Sequence, residues 1–428
     1  MRYQPLSSNF YINNRERLNK YLKKSKSLVI IQSNDEMPRN GDRNYMFRQS
    51  SDLFYLTGLD QAETILCICP EHPNKNYREI VFTKRTDEIT EIWNGSKYSK
   101  KEVQNLSGIK TVFWTDEFET VLLDLMLNSE HIFLQSNEQA KYKTPVETKQ
   151  QRFANWIKKE YPTHKYGRVT PYIYELRTVK SEEEINQIKK ACEITSKAFE
   201  KVLKFTKPNV WEYEVEAEIM HEFIRNGATD AYSSIVASGK SACILHYENN
   251  DKQCQDGDLV LLDFGAEYGN YASDLSRTIP ANGKFTPRQR QCYEAVLRVF
   301  KKAKLLFVPG NTIDFVNSET NKYMEEELIG LGLFTIEDVA KQDPTRPIYQ
   351  KYFMHGTTHF MGLDVHDVGT KQTPFVKGMV LTCEPGLYIK DENIGIRIEN
   401  DIMVDDISVD LMVGIPFEAD EIEKLMKN

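Results

Sequence analysis

The chain has 428 residues, of which 40% are apolar and 11% aromatic, enough for more than one core, and its formal net charge of −8 argues against nucleic acid as the main partner. No run approaches the roughly 18 apolar residues of a membrane span, and the opening stretch MRYQPLSSNFYINNRERLNKYLKKSK is polar and charged, without the apolar core of a signal peptide. The seven cysteines have no C-x-x-C spacing and read as free thiols of a reducing, cytoplasmic compartment, with Cys243 and Cys383 as small buried hydrophobes.

Strand candidates at 27–33, 52–58, 64–70, 79–84, 111–114 and 131–136 alternate with helical stretches near 12–24, 117–129 and 150–160. That alternation predicts an α/β domain over residues 1–170. A boundary near Pro171 opens a second domain, 171–428. Ser181 with Glu184 forms a capping box for a helix running to about Thr206, which Pro208 stops. A second helix, Trp211–Arg225, ends at Gly227, a left-handed cap candidate. Thr286–Pro287 starts a third, closed by Pro309–Gly310, and a fourth extends to about Gly332. Helices over a mostly antiparallel sheet make this half α+β.

Chemistry concentrates in two hairpin candidates. LVLLDFGAEY (259–268) and YASDLSRTIP (271–280) read as paired strands. A turn centred on Tyr268 and Gly269 would set Asp263 opposite Asp274, where facing Cβ atoms lie roughly 4.5–5.5 Å apart. KGMVLTCEPGLYI (377–389) and IGIRIENDIMV (394–404), turning at Asp391–Glu392, would set Glu384 opposite Glu399 in the same way. A one-residue bulge would shift either register. Facing like charges destabilise a sheet unless a cation sits between them. Histidines cluster beside these acids: His355, His359 and His366 fall within HGTTHFMGLDVHDVG, and His246 lies in CILHY. Four carboxylates and one imidazole (Asp263, Asp274, Glu384, Glu399, His359) would balance two divalent cations. Hard oxygen donors with one nitrogen favour Mn(II), Co(II) or Zn(II) over a thiolate-type site.

The stretches DGDLVLLDFGAEYGNYASDLSRTIPANGKFT, FMHGTTHFMGLDVHDVG, GMVLTCEPGLYI and GIRIENDIMV resemble the proline-specific "pita-bread" metallopeptidases of the creatinase/prolidase family, and within it the aminopeptidase P group. FRQSSDLFYLTGLD (47–60) and EIWNG (91–95) resemble the N-terminal domain of the same group. The resemblance implies a pita-bread catalytic domain with two metal ions, Mn(II) in first place. Asp263 would hold the first metal, His359 and Glu384 the second, with Asp274 and Glu399 shared. It places His246, His355 and His366 around the substrate and Arg397 and Tyr232 beside the first metal. Trp93 would stand near a neighbouring subunit's site in a homo-oligomer, a dimer or tetramer. Asn400 departs from the second acid that many relatives carry after the glutamate.

The implied reaction is removal of the first residue from peptides with proline second, by a bridging hydroxide made available near neutral pH, with Glu384 as general base. Proline preference rests on the resemblance alone. A prolidase restricted to Xaa-Pro dipeptides shares all five ligands, although the short connection from Glu384 to Glu399 looks more like aminopeptidase P. A non-catalytic peptide-binding module on this scaffold would typically have lost ligands, and here none is lost. A methionine aminopeptidase lacks the large N-terminal half.

Overall fold

The computed structural model describes residues 2–22, 26–138 and 145–427. The chain divides into two compact units: Pro5–Arg177, and Thr178–Asn428 together with Met1–Gln4. The division falls at the end of the helix Thr170–Thr178.

The N-terminal unit is built on a six-stranded mixed sheet, ordered Thr111–Trp114, Glu79–Thr83, Ile65–Ile68, Ser27–Gln32, His131–Leu134, Lys165–Arg168. Ile65–Ile68 is antiparallel to both of its neighbours, and the other three pairings are parallel. Alternate residues Leu28, Ile30, Cys67, Ile80 and Phe82 pack with Phe118, Leu122 and Leu125 of the helix Phe118–Leu127. Their neighbours Val29, Ile31, Leu66 and Val81 are equally buried. Burial on both faces is why these strands read as continuous apolar runs rather than alternating ones. The expected strand at 52–58 is instead the helix Ser51–Thr57, closed by Gly58 in the left-handed region. A short apolar run buried all round carries no period to separate strand from helix. The helix expected at 12–24 is Ser8–Leu22, and the residues just after it lie outside the described ones.

The C-terminal unit runs twice through helix, helix, hairpin. Glu182–Phe205 and Glu212–Arg225 precede the strands Leu259–Phe264 and Leu275–Pro280. Pro287–Ala303 and Ile313–Gly330 precede Val380–Ile389 and Ile394–Met403, each interrupted once. The helix starts are fixed locally: Ser181 accepts from the Glu184 N–H while Glu184 accepts from the Ser181 N–H, and Thr286 with Gln289 repeats the arrangement ahead of Pro287. Each hairpin carries two of the four acids, Asp263 and Asp274 on the first and Glu384 and Glu399 on the second.

The first hairpin departs from expectation. Asp263 pairs with Ser276, Glu267 with Ala272 and Tyr268 with Tyr271, so the turn is Gly269–Asn270 rather than Tyr268–Gly269. Both turn residues have positive φ, 60° and 66°, as a two-residue hairpin turn of primed type requires. Continuing that register sets Asp274 across from Gly265, diagonal to Asp263. Gly265 is required there: a Cβ would lie 1.8 Å from the Ser273 carbonyl oxygen. The second hairpin keeps the expected register, with Cys383 on Asn400 and Gly386 on Arg397. Its ladder lapses between those pairs, at Glu384–Pro385 and Ile398–Glu399. Pro385 has no N–H to give a ladder, and the two facing glutamates repel.

Candidate metal centre

Where the second ladder lapses, other segments capture the backbone. The Glu384 N–H donates to the Thr357 carbonyl (2.8 Å) and the Glu399 N–H to the Ser276 carbonyl (3.0 Å). Glu384 is thereby tied to the histidine-rich loop and Glu399 to the hairpin that carries Asp274. His359 is fixed by the Thr382 N–H donating to its carbonyl (3.0 Å) and by an isolated bridge between Phe360 and Leu381. Three separate stretches of sequence therefore meet because the hairpin leaves its own hydrogen bonds unmade at the acids.

The side chains converge. Asp274, His359 and Glu399 each offer a ligand atom within 4.8 Å of the others. His359 Nε2 lies 3.5 Å from Asp274 Oδ2 and 3.8 Å from Glu384 Oε1. The Tyr232 hydroxyl donates to both Asp263 (2.7 Å) and Asp274. Arg397 pairs with Asp263, donates from Nη1 to the Tyr388 hydroxyl (2.8 Å) and from Nε to Ser276 Oγ (2.7 Å), and Ser276 donates onward to Glu399 (2.6 Å). His355 Nδ1 donates to the Gly356 carbonyl (2.8 Å), so its Nε2 accepts from Tyr388 (2.8 Å). His366 stacks obliquely on His359, ring centroids 4.2 Å apart, and is exposed. His246 is exposed and within electrostatic reach of His355. Trp93 is on the helix Glu88–Asn94 of the N-terminal unit, 81% exposed.

The ionisation pattern is that of acids crowded out of water. Burial, then the charges of Asp274 and Asp263, push Glu384 up to about 7, against the pull of His359 and Arg397. Burial also raises Asp274 and carries Glu399 well above the carboxylate range. Burial and the nearby Arg397 press His355 down to about 3, so it stays neutral. Burial opposes the charged form of His359, but Asp274 and Glu384 outweigh it and raise the group.

This donor set fits a divalent metal. His359 donates Nδ1–H to the Phe360 carbonyl (3.0 Å), which leaves Nε2 with its lone pair facing carboxylate oxygens. Ligating histidines are held in this way by a backbone acceptor behind the ring. Lone pairs turned on one another among buried acids require a proton or a cation between them. Asp263, Asp274, His359, Glu384 and Glu399 would hold the ions.

Three participants escape notice in the sequence. Tyr388 and Ser276 carry the hydrogen bonds from Arg397, and Asp401 Oδ2 accepts the Asp274 N–H (3.1 Å). Period-two spacing was the available signal: Tyr388 is four residues after Glu384, Ser276 two after Asp274, and Asp401 two after Glu399.

The fold and cluster define a two-unit metallohydrolase scaffold. The model of metallopeptidase family M24 matches residues 186–406, and that of the aminopeptidase P N-terminal domain matches 11–133. The chain is 35% identical over 416 residues to the Xaa-Pro aminopeptidase of Haemophilus influenzae, covering 94% of this chain and 93% of the relative. Among solved structures it superposes on Zn-substituted Escherichia coli aminopeptidase P in complex with product (TM-score 0.88, 32% identity, 99% of each chain). It likewise superposes on proline aminopeptidase P II from Yersinia pestis (TM-score 0.87, 34% identity, 99% of this chain and 100% of the other). The chain belongs to metallopeptidase family M24 and carries the aminopeptidase P N-terminal domain.

Proposed function

We propose that this protein is a metal-dependent aminopeptidase that hydrolyses the bond between an N-terminal residue and a proline in second position. Asp274, His359 and Glu399 grouped within 4.8 Å, with Glu384 3.8 Å from His359 and Asp263 joined to Asp274 through Tyr232, carry this reading. Two divalent ions, with Mn(II) put first on the family resemblance, would match the four carboxylates in charge; when bound they would supply Lewis-acid polarisation of the scissile carbonyl and an acidified water.

The chain's own groups do the rest. Glu384 takes the proton of the attacking water, and that proton ends on the proline nitrogen as the C–N bond breaks. His246 and His366, both exposed beside the cluster, donate to the oxygen of the tetrahedral intermediate and orient the substrate. Arg397 spans Asp263, Tyr388 and Ser276 and so fixes three groups with one planar cation. Tyr388 holds the His355 ring by a hydrogen bond to Nε2 beside the pocket for the proline ring. Acids near the metals read the free amine of the substrate.

Residues 171–428 are taken as the catalytic domain and 1–170 as the partner domain, with Trp93 serving a neighbouring subunit in a dimer or tetramer. Among the described residues no helix is long and apolar enough to cross a membrane, and we place the enzyme in the cytoplasm. The deciding assay is hydrolysis of Ala-Pro-Pro and Ala-Pro by the Mn(II)-loaded chain, with elemental analysis alongside. Cleavage of both peptides, or of the tripeptide alone, with about two ions per chain supports the reading. Cleavage of Ala-Pro alone converts it to a prolidase, and no metal-dependent cleavage of either defeats it.

A further inference from the structure

A buried ion pair stands behind the histidine loop, and nothing in the reaction accounts for it. Lys180 Nζ lies 2.9 Å from Asp367 Oδ2, and each side chain is 1% exposed. Lys180 is the residue just before the cap of the helix Glu182–Phe205, while Asp367 directly follows His366. The two are 187 residues apart in sequence. A buried ion pair is poor evidence of stability, because desolvation consumes most of the attraction; its better attested use is to specify one arrangement among several.

The surroundings show which arrangement. Asp367 N–H donates to the Phe360 carbonyl (2.8 Å), closing the turn that separates His359 from His366. Gly362 sits inside that turn. Its carbonyl accepts the N–H of Ala272 (2.8 Å), two residues before Asp274. A Cβ on Gly362 would lie 2.2 Å from Asp367 Oδ2 and 2.7 Å from Lys180 Cε, so the pair lies directly on the glycine. On the far side, Lys180 N–H donates to the Gly378 carbonyl (2.9 Å), and Gly378 N–H to that of Val404 (3.0 Å), at the outer end of the hairpin bearing Glu384 and Glu399. One ion pair thus meets the loop of His359 and His366, the hairpin of Asp274 and the hairpin of the two glutamates.

We propose that Lys180 and Asp367 form a positioning pair that sets His359 and His366 against Asp274 and Glu384. They touch neither substrate nor metal and act through the loop. The inference rests on the metallopeptidase reading of that loop, but one of its readouts is independent of turnover.

The test compares Asp367→Asn and Lys180→Met with the double variant Lys180→Met/Asp367→Leu, which replaces the pair by apolar groups. For the double variant, melting temperature should return to within a few degrees of wild type, since apolar replacement of a buried pair is commonly neutral or better. Mn(II) affinity should nonetheless stay about tenfold or more below wild type, the range seen when support behind a ligand is lost. On Ala-Pro-Pro, kcat should fall at least about tenfold, with KM moving less than about threefold. Asp367→Asn keeps shape and an acceptor, and is expected to fold and show the same split even if the double variant does not fold. In the metal-free proteins, the imidazole NMR resonances of His359 and His366 should shift in every folded variant. Folded variants with wild-type kcat, wild-type Mn(II) affinity and unmoved imidazole resonances would overturn the proposal. A wild-type chain without metal-dependent activity defeats the underlying reading instead, and the imidazole spectra then decide the pair by themselves.

Discussion

Glu384 is the side chain on which protonation, metal binding and turnover meet. In the metal-free protein burial lifts it to about 7 from a reference of 4.5. Between those values the folded chain holds the proton that the unfolded chain has released. Its contribution to stability is therefore complete below 4.5 and is lost as pH rises through about 7. His359, also raised, works in the same direction. The metal-free protein should accordingly melt at lower temperature as pH rises across this window. A cation must displace the held protons, so Mn(II) affinity should rise with pH through neutrality and binding should release protons. Titration calorimetry in two buffers of different ionisation enthalpy measures the release directly; no buffer dependence near pH 6.5 would contradict the assignment. Glu384→Gln should keep the fold while lowering kcat by about 10²–10⁴, the usual worth of a positioned general base. A loss under tenfold would remove Glu384 from that role.

At the level of elements, the acids became neighbours by two routes, and only one was legible. The second hairpin pairs in the register its sequence implies, and it breaks at the glutamates because Pro385 offers no donor. The first hairpin turns one residue later than symmetry of its two acids suggests, because Gly269 and Asn270 both accept positive φ. Asp263 and Asp274 are consequently diagonal, and Tyr232 spans them from outside the hairpin. A pairing rule that looks only along the hairpin misses such a bridge. The five ligand candidates could still be picked out, since residue type and period two survive a shift of register, whereas Tyr388 and Ser276 look like ordinary strand residues until Arg397 is placed. The helix at Ser51–Thr57 was hidden because every residue in it after Ser51 is buried, leaving no polar face to mark a period. Gly265 is the element's weak point. Gly265→Ala would drive a methyl into the Ser273 carbonyl and should cost about 1–3 kcal/mol by overpacking, seen as a lower melting temperature. It should also weaken Mn(II) binding, because the backbone that must yield leads straight into Asp274. A variant that melts lower but binds Mn(II) as wild type would show the acids to be held independently of this contact.

For the whole molecule, the metal cluster belongs to one compact unit. Every proposed ligand lies in Thr178–Asn428, and none lies in Pro5–Arg177. Removing the ions leaves several buried acids to be satisfied by protons, whereas the N-terminal sheet owes its stability to apolar contacts such as Leu28, Phe82 and Leu122. Ligand linkage acts only on the equilibrium to which the ligand is coupled: an ion at a hundred times its dissociation constant adds about 2.7 kcal/mol to the unit that binds it. Scanning calorimetry of the full chain should therefore resolve two transitions, one moving upward with Mn(II) and downward with chelator, the other holding its temperature. Intrinsic fluorescence divides along the same line. Trp93, Trp114 and Trp156 are in the N-terminal unit and Trp211 alone is in the C-terminal one. Replacing Trp211 by Phe should leave a fluorescence signal that reports the metal-independent transition only. A single transition displaced by Mn(II) would mean that the units unfold as one cooperative body; two fixed transitions would mean that the acids do not bind the ion at all.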